Sequence, residues 1–133
     1  MARIPTICPF CGCGCGFYLV VHGDRVTGVE PSPDNPVNKG MLCTKGWNSH
    51  EFVHSPDRLK TPLVRKNGEL VESTWQEALD LVCARLIGIR DVTGPDALGF
   101  LCSAKVSNEE NYLFMKLARA AFKTNNVDHC ARL

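Results

Sequence analysis

Four cysteines near the N-terminus have the spacing of a metal centre. Cys8 and Cys11 form a C-x2-C pair, and Cys15 follows after three more residues. Cys43 arrives much later in the chain. Thiolates this close together repel one another, so a fold keeps them together mainly when a metal neutralises them or when they are oxidised in pairs. Three near cysteines and one remote cysteine are a common way to hold four irons. We therefore predict that these four cysteines bind a 4Fe–4S cluster.

A fifth thiol, Cys13, lies inside the same loop, and spacing alone does not exclude it as the third ligand. We favour Cys15 because the C-x2-C-x3-C pattern would leave Cys13 pointing away from its neighbours at the loop tip. Glycine alternates with the cysteines at Gly12, Gly14 and Gly16. Because glycine tolerates positive φ, these positions let the backbone wrap a bulky cluster and point its N–H groups at the sulfurs.

Two other uses of clustered thiols fit less well. A structural zinc site usually takes two separate C-x2-C knuckles, whereas Cys43 has no second cysteine beside it. Eight cysteines would suit a disulfide framework in a secreted chain, but no leader is visible and no apolar run approaches the roughly 20 residues of a membrane span. We therefore expect a cytoplasmic protein with reduced thiols. Cys83 and Cys102 lie in apolar stretches and are expected to be buried core thiols.

The net charge of +1 gives no electrostatic reason to expect nucleic acid as a partner. The first part of the chain is instead predicted to be a small β-rich layer. Residues 17–22 and 25–30 read as strands, and Gly23-Asp24 between them suits a two-residue hairpin turn. The turn-forming residues 31–40 then bend the chain back. This path explains how Cys43 can be remote in sequence and near the loop in space.

The second part is predicted to begin with another hairpin, at Asn67-Gly68, followed by a helix. The stretch from Thr74 to Glu77 has the form of a capping box, and Thr93-Gly-Pro95 ends the helix. Its apolar residues recur at helical spacing and are expected to form core. They are Trp75, Ala78, Leu79, Val82, Leu86 and Ile89.

A short apolar run, 97–102, suits a strand covered on both faces. The stretch 107–110 repeats the capping box and begins a second helix. Strand, loop and helix in this order are the start of an α/β layer. We therefore predict a β-rich cluster domain, residues 1–60, followed by the beginning of an incomplete α/β domain, residues 61–133, for which the resemblance given below implies pterin binding. The expected apolar face of the second helix consists of Tyr112, Met115, Ala118 and Phe122.

The cysteine pattern, with Lys45-Gly46 after Cys43, resembles the opening of the molybdenum or tungsten bis-pterin oxidoreductases, above all the catalytic subunit of formate dehydrogenase. The resemblance implies a 4Fe–4S cluster and bis-molybdopterin guanine dinucleotide with Mo or W. Catalytic subunits of this kind are several times longer, so the remainder of the subunit would hold most of the pterin cofactor. Further matching motifs are Arg58-Leu-Lys-Thr-Pro-Leu, Trp75-x2-Ala78-Leu, Asn108-Glu-x-Asn-Tyr112, Leu117-Ala-Arg-Ala and Asn125 to Leu133.

The resemblance also implies a function for the whole subunit, the reversible oxidation of formate to carbon dioxide. This part would carry electrons between the pterin-bound metal and an iron–sulfur or flavin partner subunit, and alone it is expected to be inactive. In the resembled family, a lysine at the position of Lys45 lies between the cluster and a pterin, as a hydrogen-bonded bridge that lends positive charge to both. The stretch 103–108, at a helix N-terminus, is an expected wall for a phosphate-bearing pterin, with Lys105 as a contact.

In the resembled formate dehydrogenases, a segment like Asn125 to Leu133 is followed by the selenocysteine or cysteine that ligates the metal. We expect residue 134 to be selenocysteine, which is encoded by a codon normally read as stop. Cys130 precedes the metal position in this register and is expected to be structural.

Three alternatives stay open at this point. A formylmethanofuran dehydrogenase or an assimilatory nitrate reductase would share the cysteine pattern. A stand-alone iron–sulfur electron carrier would require these 133 residues to be complete and monomeric. A structural zinc module would contain zinc without iron or sulfide.

Overall fold

Residues 1–130, which the computed structural model describes, combine short strands with helices. The strands are β1 (Ala2–Ile7), β2 (Gly16–His22), β3 (Arg25–Pro31), β4 (Leu63–Lys66), β5 (Glu69–Glu72), β6 (Phe100–Ser103) and β7 (Val127–Cys130). The helices are α1 (Thr44–Trp47), α2 (Trp75–Thr93) and α3 (Asn108–Ala120), with 3₁₀ turns at Glu51–His54 and Pro95–Ala97.

The first three strands form an antiparallel sheet in the order β1, β2, β3. The predicted hairpin between β2 and β3 is confirmed, and Gly23 at its turn has a left-handed φ of 59°. We did not predict β1, because Pro5 interrupts its sequence pattern and proline cannot donate a ladder hydrogen bond. The sheet accommodates Pro5 because β1 is an edge strand. Phe17 on β2 is only 1% exposed and anchors this sheet.

The segment between β3 and α1 is a succession of tight turns, as predicted. The Lys39 N–H donates to the Asn35 carbonyl at 2.9 Å, and Lys39 and Gly40 both adopt left-handed φ values. A side chain at Gly40 would also contact Pro33 closely. This compact path leads directly to Cys43, which is the N-cap of α1.

The second predicted hairpin is also confirmed. Strands β4 and β5 pair antiparallel around Asn67 and Gly68, which both have left-handed φ values of the kind a tight hairpin turn requires. The chain then passes directly into the first turn of α2.

Helix α2 begins and ends as predicted, but its capping box is only half formed. The Glu77 N–H donates to Thr74 Oγ1 at 3.2 Å, which caps the first turn. The Glu77 carboxylate does not accept the reciprocal hydrogen bond from the Thr74 N–H, because it accepts one from the Ser73 hydroxyl at 2.6 Å and pairs with Lys66. Gly94, with a φ of 99°, follows the last helical residue.

None of the residues of α2 is buried within the described part of the chain. Most of the predicted core stripe is therefore wrong there, since Trp75 is 68% exposed, although Leu86 packs, partly buried, against the small core. Cys83, predicted to be a buried thiol, is exposed, and Cys102 is half-buried. Helical periodicity located the helix correctly, but it carries no information about which segment covers the apolar side chains.

A small core forms around β6 and the C-terminal half of α3. Strand β6 begins at Phe100, three residues later than predicted, because a 3₁₀ turn occupies the start of the apolar run. Leu101 is 82% exposed, so the prediction of a strand covered on both faces is wrong for the described chain. The buried residues are Leu98, Phe100, Ala118 and Phe122, with Leu86 and Val127 packed against them.

The predicted capping box before α3 is confirmed in both directions. The Ser107 N–H donates to Glu110 Oε2 at 2.7 Å, and the Glu110 N–H donates to Ser107 Oγ at 3.2 Å. The predicted apolar face holds only in part. Ala118 is buried, and so is Phe122 just beyond the helix end, but Tyr112 is exposed.

The chain divides into two compact units. One comprises Met1–Arg58, Ser103–Leu113 and the described residues from His129 onwards, and the other comprises Leu59–Cys102 and Phe114–Asp128. Strand β6, helix α3 and strand β7 each continue from one unit into the other. Within residues 1–130, none of the helices has the length and apolar character needed to span a membrane.

Candidate metal centre

The loop 8–15 connects the paired ends of β1 and β2. Ile7 lies opposite Gly16 at the end of the ladder, and the Cys8 N–H donates to the Cys15 carbonyl at 2.8 Å. The hairpin therefore fixes both ends of the loop. The exposure of its cysteines differs: Cys8 is buried, Cys11 and Cys15 are half-buried, and Cys13 is exposed.

The thiols of this loop are crowded. The Sγ atoms of Cys15 and Cys13 lie 3.5 Å apart, so the prediction that Cys13 points away from its neighbours is wrong. Burial raises the pKa of Cys15 to about 11, and the hydrogen bond and charge of Cys13 act in the same direction. The charges of Cys8 and Cys11 raise this pKa further. The three other thiols of this short loop thus act electrostatically on Cys15.

This donor set fits an iron–sulfur cluster by its chemistry. Each thiolate makes the next ionisation harder, and iron relieves that cost by replacing the thiol protons and neutralising the charge. Among residues 1–130, no group of three or more His, Cys, Asp or Glu side chains could hold a single metal ion. A four-iron cluster does not require such a group, because its thiolates bind different irons.

Cys43 lies apart in sequence, in an environment that favours its thiolate. The backbone N–H of Gly46 makes the largest contribution and lowers the pKa of Cys43, and the N–H and ammonium charge of Lys45 act in the same direction. Burial of the thiol opposes them. Cys43 is not among the groups that shift the pKa of Cys15. The convergence of Cys43 on the loop therefore stays a prediction.

The two predicted lysine contacts lie beside different cysteines. Lys45 is exposed on α1, two residues after Cys43. Lys105 is also exposed, and its N–H donates to Ser103 Oγ at 3.0 Å. The charge of Lys105 contributes to an environment that lowers the pKa of Cys130, in which the Ala104 N–H has the largest effect. The roles of both lysines towards a pterin stay predictions.

Cys130 lies near the turn after β6, with its Sγ 3.7 Å from Ser103 Oγ. It is exposed rather than packed among apolar side chains. No sequence pattern predicts this contact, because Ser103 and Cys130 are 27 residues apart and no local motif joins them. The last part of the motif that starts at Asn125, residues 131–133, lies outside the described residues.

Two asparagines that sequence reasoning did not assign to the loop hold it in place. Asn108 Nδ2 donates to the Gly12 carbonyl at 2.8 Å, across 96 residues of sequence. A Cβ at Gly12 would clash with the Asn108 side chain, so this approach requires glycine. Asn38 hydrogen-bonds Gly16 at the other end of the loop. Both contacts are long-range, and a spacing pattern does not reveal them.

Two family models match the chain. The model described as the molybdopterin oxidoreductase Fe4S4 domain matches residues 1–55, and the model described as molybdopterin oxidoreductase matches residues 58–133. The chain therefore belongs to the molybdopterin oxidoreductase family. The first match contains all of the predicted cluster cysteines.

Similar proteins include several named formate dehydrogenases. The chain is 55% identical over 130 residues to the F420-dependent formate dehydrogenase 1 subunit alpha of Methanococcus maripaludis. It is 48% identical to the F420-dependent formate dehydrogenase subunit alpha of Methanocaldococcus jannaschii, and 49% to a putative formate dehydrogenase of Bacillus subtilis. Each match covers 98% of this chain but only 19%, 19% and 13% of the respective relative. The chain thus spans a fifth or less of the length of these relatives.

Proposed function

We propose that this chain is the N-terminal part of a formate dehydrogenase catalytic subunit. Its role is to carry electrons between a pterin-bound metal and a partner subunit through a 4Fe–4S cluster. The observation that carries the proposal is the loop 8–15, whose hairpin gathers crowded thiols at one end of a sheet. The names of the relatives supply the substrate, because the formate site itself would lie in the remainder of the subunit.

The cluster ligands in this proposal are Cys8, Cys11, Cys15 and Cys43. When bound, the cluster supplies one-electron transfer. Cys8 is held by the backbone bond at the base of the loop, and its burial excludes water from one side of the site. Cys13 is the competing third ligand, since its sulfur lies beside that of Cys15. Serine substitution of each in turn separates them, because only loss of the true ligand changes the cluster spectrum.

Lys45 is proposed to lie on the electron path between cluster and pterin. Its place on α1, two residues after Cys43, keeps its positive charge near the thiol, where it adds to the larger effect of the Gly46 N–H in lowering the pKa of Cys43. The same charge would offset the negative charge of the cluster and bridge to a neighbouring acceptor. Lys45→Met should slow cluster reduction by formate while leaving iron content intact. Unchanged electron transfer would contradict the bridge.

The second half of the chain is proposed to begin the α/β layer that binds bis-molybdopterin guanine dinucleotide with Mo or W. The segment 103–108 leads into the N-terminus of α3, where backbone N–H groups and the helix dipole favour a phosphate. Lys105 is the proposed contact. The remainder of the subunit would supply the other contacts and the metal ligand. We retain selenocysteine at residue 134 as a hypothesis that a selenium assay on the full-length subunit tests.

The proposed partners are formate, carbon dioxide, the remainder of the subunit and an iron–sulfur or flavin electron-transfer subunit. Two of the relatives are named F420-dependent, which makes F420 a specific electron acceptor to test beside NAD⁺. A cytoplasmic location stays a prediction.

The test uses the full-length subunit purified without oxygen. We expect about four irons and four sulfides per subunit, together with molybdenum or tungsten, and bleaching of the cluster absorbance when formate is added. Formylmethanofuran added to the oxidised cluster, and nitrate added to the chemically reduced cluster, are the control substrates, and neither should change the cluster absorbance. Zinc without iron or sulfide would overturn the cluster, and a cluster that responds to a control substrate but not to formate would overturn the substrate. Residues 1–133 alone should show no formate oxidation.

A further inference from the structure

A buried asparagine joins the two parts of the predicted ligand set. Asn38 is 7% exposed, and its amide makes hydrogen bonds to two separate backbone segments. The Gly16 N–H donates to Asn38 Oδ1 at 2.9 Å, and Asn38 Nδ2 donates to the Gly16 carbonyl at 3.1 Å. The same Nδ2 donates to the Met41 carbonyl at 2.8 Å. Both amide protons and the amide oxygen of Asn38 are therefore used.

The partners of Asn38 lie next to cysteines on both sides. Gly16 directly follows Cys15 at the end of the loop, and Met41 precedes Cys43 by two residues. One side chain thus ties the loop that carries the near thiols to the segment that carries the remote thiol. The side-chain amide of Asn38 makes two hydrogen bonds with the backbone N–H and carbonyl of Gly16, as residues on neighbouring strands do. This pairing fixes both the distance and the orientation of the two segments.

The surrounding residues make this arrangement specific. Asn35 Oδ1 accepts hydrogen bonds from the N–H groups of Val37 at 3.0 Å and Asn38 at 3.4 Å, which holds the turn that presents Asn38. A Cβ at Gly16 would clash with the Asn35 side chain, so the close approach requires glycine. One closely packed, hydrogen-bonded unit is therefore formed by Asn35, Asn38 and Gly16.

We propose that Asn38 is the positioning residue that sets where Cys43 stands relative to the loop 8–15, so that the remote thiolate reaches the cluster. The inference rests on the proposed function, because it assumes that these cysteines bind one cluster. Asn38 does not touch the cluster in this role. It acts through the backbone of Gly16 and of Met41.

Aspartate is the sharpest substitution at this position. Asn38→Asp keeps the size and the acceptor oxygen, but it removes both donors and turns a negative charge towards two carbonyl oxygens. Buried acceptors left without donors are costly, and the segment before Cys43 loses its tie to the loop. Asn126→Asp is the matched control, because Asn126 Nδ2 also donates to two carbonyls, those of Asp96 and Leu98, which are far in sequence from the four proposed cluster ligands.

The experiment compares both variants with the wild-type full-length subunit. The readouts are iron and sulfide content, the rate of iron loss to a chelator, the electron paramagnetic resonance spectrum of the reduced cluster, and alkylation of Cys43 by iodoacetamide. For Asn38→Asp we expect iron loss to be roughly tenfold faster, an altered spectrum and alkylation of Cys43. Asn126→Asp should keep the wild-type spectrum and a protected Cys43, even if it lowers the stability of the fold.

The outcomes separate the two proposals. A wild-type subunit without iron and sulfide would overturn the proposed function. A wild-type cluster that Asn38→Asp leaves unchanged in chelation rate, spectrum and Cys43 protection would overturn the role of Asn38 alone. If the aspartate variant does not accumulate, Asn38→Gln is measured in the same way, since it keeps the amide but displaces it by one methylene. A wild-type spectrum and a protected Cys43 in that variant would overturn the positioning role.

Discussion

The cysteine loop and helix α2 obtain their structure in opposite ways. The loop has no regular secondary structure, yet backbone pairing at its base, Asn38 at one end and Asn108 at Gly12 hold it. Helix α2 is regular over 19 residues, yet none of its residues is buried in the described chain. Several of its large apolar side chains are exposed, among them Trp75, Leu79 and Val82. A few polar contacts thus hold the loop, whereas the described chain leaves most of α2 uncovered.

The largest difference is expected when a thiol is removed from each region. Cys8→Ser should abolish the cluster in the full-length subunit, with iron and formate-dependent electron transfer both lost, because Cys8 is the buried thiol of the loop. Cys83→Ser on α2 is the matched control and should retain the full iron content. Iron analysis and visible absorbance measure both variants. Equal iron in the two variants would show that the loop does not bind the cluster.

A second contrast concerns core packing. Phe17→Ala should lower the free energy of unfolding by about 3–5 kcal/mol, because Phe17 is 1% exposed and its loss leaves a cavity. Val82→Ala on α2 should change it by less than about 0.5 kcal/mol in the 133-residue chain, because Val82 is exposed there. Urea denaturation measures both values. A large cost for Val82→Ala in this chain would show that α2 is already covered.

The same contrast explains what the sequence could predict. Local chemistry found both hairpins, since Gly23 and Gly68 permit the tight turns, and it found the cap of α2 at Thr74. It missed β1, whose pairing with β2 depends on partners rather than on its own propensity. It also failed at several positions where burial by other segments decides, as for Cys83 and for the exposed face of β6 at Leu101.

The candidate site shows the same division between local and long-range information. The thiol ligands could be predicted from the sequence, because cysteine at this spacing is by itself a chemical reason to expect a metal centre. The contacts of Asn38 and Asn108 with the loop could not be predicted, because their partners lie 22 and 96 residues away and asparagine is common in turns. The orientation of Cys13 was also wrong, since the path of the loop rather than the spacing decides where its sulfur points.

A smaller effect on the cysteine loop is expected when its hydrogen bond from Asn108 is removed. Asn108→Ala removes the hydrogen bond to the Gly12 carbonyl, which is worth about 1 kcal/mol. Amide hydrogen exchange in the loop 8–15 should therefore become roughly fivefold faster. Asn125→Ala, which removes a hydrogen bond from Arg119, is the control and should leave exchange in this loop unchanged. Unchanged exchange in Asn108→Ala would mean that the base of the loop and Asn38 suffice to hold it.

The smallest effect concerns the first turns of α2 and α3. In each turn the pKa of one glutamate is lowered, and the pH dependence of the two carboxyls can be compared. Hydrogen bonds from the Ser107 N–H and hydroxyl lower the pKa of Glu110, whereas Lys66 is the main cause of the lowered pKa of Glu77. A carboxyl whose pKa is lowered by folding stabilises the fold above its unfolded pKa, and this contribution is lost as the pH falls through the folded pKa. Both carboxylates are fully exposed, so the effect on stability is small. In a carboxyl NMR titration, Ser107→Ala should raise the pKa of Glu110 and leave that of Glu77 in place. If the pKa of Glu110 did not change, the Ser107 hydroxyl would not contribute to its lowered value, and the Ser107 N–H alone would account for it.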